Sequence, residues 1–309
     1  MKRRSRVLAL GLTAATMLAA VTIVLWLAAP VPVQAQAGRN AAPPAAKAAA
    51  PIDLTGYWAA VVTEDWRLRM LGAPKGDFGV GPPGAIVRPG ANPYGTGANP
   101  AEAGSIPYKV MGAKAALQWD PAKDEAEGDL CKAFGAAGIM RQPTNLHITW
   151  QDDNTLKLET DYGMQTRVFH FITAPQGGQM SYQSGIYSPA DPPKFDAPAG
   201  TGPSLQGYSA ALWTSMGSDR EGYERSGSLK VVTSRLLAGY YWRNGMPYTG
   251  NAVVTEHYRI LDLPDQSRWI ILVLIVEDPE YLTQPFIVNY HFKKLPDGST
   301  WHPAPCSVR

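Results

Sequence analysis

The chain has 309 residues, a formal net charge of +2 from 28 basic and 26 acidic side chains, and 10% aromatic residues. A balance this near neutrality excludes nucleic acid as an expected partner, because a polyphosphate calls for a basic patch or stripe. The two cysteines, Cys131 and Cys306, have no C-x-x-C or C-x-x-C-H spacing, which excludes a thioredoxin-type pair and covalent haem.

In chain order, Lys2, Arg3, Arg4 and Arg6 precede an apolar run over residues 7–29, followed by Ala35-Gln36-Ala37. These are the charged, apolar and small-residue parts of a secretory signal, so residues 1–37 are expected to be cleaved and the protein to be periplasmic or secreted. The apolar run, at about 23 residues, would also span a bilayer if it stayed uncleaved, and membrane association is expected only in that case. Export to an oxidising compartment leads us to expect a Cys131–Cys306 disulfide. Residues 38–51 are almost all Ala and Pro and read as a disordered linker. Residues 52–309 then form a single expected domain.

Residues 56–63 read as a first strand. Residues 72–107 are rich in Gly and Pro, and are expected to form a long strap over the surface. One or two short helices are expected within residues 108–137. From there the chain is β, with strands expected at 146–151, 155–160, 164–172, 207–213, 227–236, 252–261, 269–276 and 286–293. Their spacing, punctuated by turn signals such as Asn244-Gly245, argues for an all-β fold, an antiparallel barrel or sandwich and not βαβ units, and an antiparallel barrel of about nine strands is the leading expectation.

Register follows from the turns. If Asp152-Asp153-Asn154 and Asp161-Tyr162-Gly163 are three-residue turns, Trp150, Ile148 and Leu146 face Leu156, Leu158 and Thr160. In the next hairpin Leu158 and Leu156 would face Thr166 and Val168. The opposite face would hold His147 beside Glu159 and Thr149 beside Lys157 and Arg167, pointing either to water or into a lumen. The strand at 269–276 is apolar on both faces and is expected to be covered on both sides. With residues 262–265 as the turn, Glu256 would lie opposite Ile271, with Tyr258 opposite Trp269.

Glu256 in an apolar row is the first candidate acid/base, since burial disfavours a carboxylate. The alternative is a rim carboxylate paired with an arginine such as Arg235. His147 with Glu159 is an imidazole–carboxylate pair of the kind that moves protons, or else a solvated cross-strand pair. Glu64, Asp65, Trp66 and Arg67 end the first strand with charges and an indole that would suit a barrel mouth gripping a polar ligand, or a surface ion-pair ladder. No two histidines have ligand spacing, so no metal is expected. Nor is a cofactor. Gly79-Val80-Gly81-Pro82-Pro83-Gly84 fits G-x-G-x-x-G in form only, because two prolines remove the required N–H groups. Gly207-Tyr208-Ser209 runs into a strand and not a helix, against a nucleophile elbow.

Gly56-Tyr57-Trp58 resembles the G-x-W at the start of the first strand in lipocalin-type (calycin) barrels. Longer stretches resemble a family of uncharacterised exported proteins of soil bacteria: 53–58, 62–67, 146–150 through Phe171, 207–209, 228–233, Asp278-Pro279 and 283–286. The first resemblance implies a lumenal ligand site and the second an envelope setting, with no activity attached.

The leading expectation is an exported barrel binding a small, partly apolar ligand in its lumen, with Trp58 as structural plug and Arg167, Glu256 and Tyr258 as polar contacts. The alternatives are an envelope lyase, isomerase or hydrolase using Glu256 or His147, and a structural or partner-binding module. Oligomeric state is not legible in the sequence.

Overall fold

A computed structural model describes residues 44–61, 106–172, 195–216 and 226–308. Nine strands close into a barrel: β1 (Gly56–Val61), β2 (Asn145–Asp152), β3 (Thr155–Thr160), β4 (Thr166–Phe171), β5 (Tyr208–Met216), β6 (Ser226–Ser234), β9 (Val253–Asp262), β10 (Arg268–Glu277) and β11 (Phe286–Lys294). Around the barrel they run β1-β11-β10-β9-β6-β5-β4-β3-β2. The strands follow the sequence pattern closely. In β9, for example, Val254, Glu256 and Tyr258 are buried while Thr255 and His257 are only half-buried. Among the described residues no helix is long and apolar enough to cross a membrane.

The barrel is mixed, where the sequence led us to expect it antiparallel throughout. β4 and β5 pair in parallel, Phe169 beside Ser209 and Phe171 beside Ala211. The long connection after β4 returns the chain to the end where β4 began, which is the length a parallel pair requires.

The β2–β3 register is as expected, with Leu146, Ile148 and Trp150 opposite Thr160, Leu158 and Leu156. In the β3–β4 hairpin, however, Leu158 faces Arg167 and Leu156 faces Phe169. The connection is one residue longer than a three-residue turn, since Thr160 N–H donates to the Gln165 carbonyl. Gly163 and Met164 turn the chain at φ of 84° and 49°. That one-residue slip exchanges the faces of β4 and carries Arg167 into the barrel.

The β9–β10 turn is also longer than expected: Glu256 lies opposite Leu274 and Tyr258 opposite Leu272, displacing Ile271 and Trp269 from the inner row. The outer row of β10, Trp269, Ile271, Val273 and Ile275, is half-buried, so the full cover expected on both faces is not found.

Strand directions place residues 106–144, 161–165, 235–252 and 278–285 at one end, here termed the capped end. The cap holds helix α1 (Val110–Leu117), helix α2 (Pro121–Glu127) and two 3-10 turns, Lys132–Phe134 and Ile139–Arg141. Asp120 caps α2 by accepting from Ala122 N–H, and proline occupies its first turn. A small hairpin, β7 (Gly239–Trp242) with β8 (Met246–Tyr248), crosses this end. It was not anticipated as strands, although Asn244-Gly245 marks its turn. Gly245 has φ of 80°, and a Cβ there would stand 2.0 Å from Trp119 Cγ, so the turn packs directly on the segment after α1.

At the other end Trp58 is fully buried, donates from Nε1 to the Leu54 carbonyl at 2.9 Å and lies beneath Lys294 Nζ, 4.5 Å from its ring. It therefore does plug the barrel. Residues 44–51, expected as the last part of a disordered linker, are docked here. Ala46 N–H donates to Asn154 Oδ1, Lys47 N–H to the Asp153 carbonyl, and Trp213 Nε1 donates to the Ala46 carbonyl. A half-buried indole N–H needing an acceptor gives this Ala/Pro segment the anchor its composition does not reveal.

After β11 the tail returns along the outside to the capped end. Asn145 Nδ2 donates to the Thr300 carbonyl, Gly163 N–H to the Ala304 carbonyl, and Cys306 forms the expected disulfide with Cys131.

Candidate functional site

The middle of the barrel is filled, and only toward the uncapped end are inward-facing residues, Trp150, Phe171, Trp213 and Ile260, half-buried among the described residues. Trp58, Leu158, Arg167, Glu256, Tyr258, Leu272 and Phe292 keep 1% or less of their accessible surface. A lumen roomy enough for a ligand would also admit water and leave surface on its walls, so these side chains form a core rather than a cavity.

At its centre Arg167 Nη1 and Nη2 donate to Glu256 Oε1 and Oε2 at 2.8 and 2.6 Å. Arg167 Nη2 also donates to Thr233 Oγ1 at 3.2 Å, and Tyr258 O–H donates to Glu256 Oε1 at 2.9 Å. Thr233 Oγ1 in turn bonds Ser209 Oγ at 2.8 Å. Burial opposes the charge on Arg167, but the Glu256 carboxylate more than offsets it and holds the guanidinium above its ordinary value. Burial, then the Glu256 charge, pushes the Tyr258 phenol well up. The three side chains expected to grip a ligand are brought together, but they bond one another and are closed to solvent. The partner of Glu256 is Arg167 and not Arg235, which is exposed in an αL turn at φ of 58°. Ser209 bonds a threonine and not a base, so the G-x-S resemblance has no catalytic geometry.

His147 and Glu159 do meet, Nδ1 to Oε2 at 3.4 Å, on the outer face. Lys157 Nζ holds the same carboxylate oxygen at 3.0 Å. The imidazole stacks on Tyr57 at 4.2 Å between centroids, with Trp301 of the returning tail edge-on to both rings. The pair thus seats the tail on the barrel wall. Glu64, Asp65, Trp66 and Arg67 lie outside the described residues, as does the glycine-rich stretch 79–84.

The capped end carries an open cleft of about 310 Å³, lined in part by Lys132, Tyr240, Tyr248, Thr249, Glu280 and Tyr281. Two buried aspartates build its walls. Asp124 accepts from Trp119 Nε1 at 2.9 Å, Lys132 Nζ at 2.9 Å and Tyr240 O–H at 2.9 Å. Asp278 accepts from Thr249 N–H and Oγ1 at 2.7 and 2.9 Å, and from the N–H groups of Glu280 and Tyr281 at 3.1 and 3.2 Å.

Lys132 also meets Asp129 Oδ2 at 2.6 Å. Partial burial works against its charge, but the bonds to Asp129 and Asp124 outweigh this and hold the ammonium above its ordinary value. Asp124, Glu127 and Asp129 bring carboxylate oxygens within 4.8 Å of one another, yet the lysine already supplies the cation that such a group requires.

At the base of the cleft the Tyr248 hydroxyl is buried and has no hydrogen-bond partner among the described residues. It fits between two glycines, where a Cβ would come within 2.2 Å at Gly135 and 2.5 Å at Gly239. Burial pushes this phenol up, tempered by the charge of Arg167.

Comparison with known protein families, with curated proteins and with solved structures found no match to this chain. The cleft residues were not among the sequence candidates because its walls come from four separate segments. The legible signals were the Asn244-Gly245 turn between aromatic runs and the Asp278-Pro279 step after a long apolar strand.

Proposed function

We propose that this is an exported barrel protein that binds a small, partly apolar molecule in the cleft at its capped end, with the filled barrel as a rigid base. The observation that carries the reading is the cleft itself. At about 310 Å³ it has the size of a small-molecule site and combines tyrosine rings with an ammonium, a carboxylate and a hydroxyl. The walls are fixed by fully bonded buried aspartates, which gives a site little to reorganise on binding. The signal-like features of residues 1–37 and the Cys131–Cys306 disulfide are compatible with export.

An enzyme reading is less well supported, since Glu256 is sealed in the core and His147 lies on the outer wall. Ligand-observed NMR with mixed fragments, on the purified protein and on Ala238→Trp, tests the proposal. Ala238 is an exposed lining residue, so its replacement fills the cleft without touching the core. Fragments that bind the parent and not the variant are expected. Binding that survives the indole, or no binding at all, would refute the reading.

A further inference from the structure

Tyr240, Tyr281 and Glu280 all line the cleft, and Glu280 is exposed. The Tyr240 side of the cleft is already built around an ammonium. Lys132 Nζ lies 5.8 Å from the Tyr240 ring centroid and between the carboxylates of Asp124 and Asp129. Tyrosine faces and carboxylates attract cations, and weakly hydrated organic ammonium groups gain most, because they give up little hydration on entering an aromatic site.

The charges agree. Of the two charged residues lining the cleft, Lys132 is already paired with Asp124 and Asp129 behind it, which leaves the Glu280 carboxylate without an ionic partner among the described residues. Lys109, the other nearby cation, turns its Nζ to the Pro279 carbonyl at 2.7 Å and does not line the cleft. An anionic ligand would have to displace Asp129 from Lys132, whereas a cationic one finds Glu280, engaged among the described residues by the neutral amide of Asn251.

From this we infer that the cleft takes an organic ammonium group, primary or quaternary, packed on Tyr240 and Tyr281 with Glu280 as counter-charge. The inference rests on the reading of the cleft as the binding site and names its ligand chemistry. It also supplies a reporter. Trp119 is buried, bonds Asp124 through Nε1 and stands edge-on to Tyr240 at 6.4 Å, so occupancy beside Tyr240 changes its surroundings.

The test is a fluorescence titration at low salt, where surface charge is least screened. It uses three probes of one shape: choline, its neutral carbon isostere 3,3-dimethyl-1-butanol, and the anion 3,3-dimethylbutyrate. Choline is expected to give a saturable response that is absent in Trp119→Phe, with the alcohol about tenfold weaker or more and the anion weaker still. Glu280→Gln, at an exposed position that leaves the fold intact, is expected to lower choline affinity about tenfold while leaving the alcohol unchanged.

Equal binding of choline and the alcohol would overturn the ammonium assignment, as would failure of choline to bind. If fragments of other charge still bind the parent and not Ala238→Trp, only the ligand class falls and the cleft stands. If nothing binds the parent, both readings fall.

Discussion

Replacing Glu256 by glutamine strips the charge from a pair that has no access to water. Arg167 and Glu256 are both closed to solvent at the side chain, so the guanidinium left behind cannot recruit a hydration shell. Of its bonds, the two to Glu256 lose their charged acceptor, and the one to Thr233 is neutral and long at 3.2 Å. Arg167 Nε already has no partner among the described residues. Breaking one side of a buried ion pair costs about 3–5 kcal/mol, a large share of the ~5–15 kcal/mol that holds a typical domain together.

The double replacement Arg167→Met with Glu256→Leu removes both charges and leaves apolar side chains of similar reach. It is expected to recover most of the loss, and to do better than either single variant. Urea denaturation with the disulfide intact reads this as a lowered midpoint at unchanged slope for the single variant and a restored midpoint for the double. A cost below about 1 kcal/mol for Glu256→Gln would refute the dry interior, because only water entering the barrel could compensate Arg167 that well.

Opening Cys131–Cys306, which closes a loop with a sequence separation of 175, is expected to lower stability by up to about 5 kcal/mol in the chain-entropy description; denaturation midpoints of the Cys131→Ala, Cys306→Ala double variant check it. Trp58→Ala should cost about 3–5 kcal/mol as a cavity at the plugged end, and Trp58→Phe less, by the same assay. His257 is held below its ordinary value of 6.5 first by burial and then by Lys230 and Arg259. The unfolded chain therefore takes up the proton first. The contribution of His257 is complete above pH 6.5 and declines as pH falls from there to the lower folded value. Midpoints measured across that window should fall with acidification, and His257→Gln should flatten the slope.

Strand existence was legible because nearly every barrel strand alternates over most of its length, and the β2–β3 register followed from one turn. Arg167 shows where such reading stops. One added residue between Thr160 and Thr166 moves it from the outer wall to the core, and turn length is set by backbone conformation at Gly163 and Met164, which composition does not specify. Glu256 was identified as anomalous, but its partner lies three strands away around the barrel, beyond any local pattern. The cleft was less legible still. Its walls depend on Asp124 and Asp278, whose sequence surroundings mark only a helix and a turn.

The account turns on a filled barrel that binds at its capped end. The most direct measurement is backbone amide chemical-shift mapping with a fragment that binds the parent protein. The account predicts shifts at Gly239, Tyr240, Thr249, Glu280 and Tyr281, with the amides of Arg167, Glu256, Tyr258 and Leu272 unmoved. Shifts centred on those four interior residues, with the cleft silent, would contradict it.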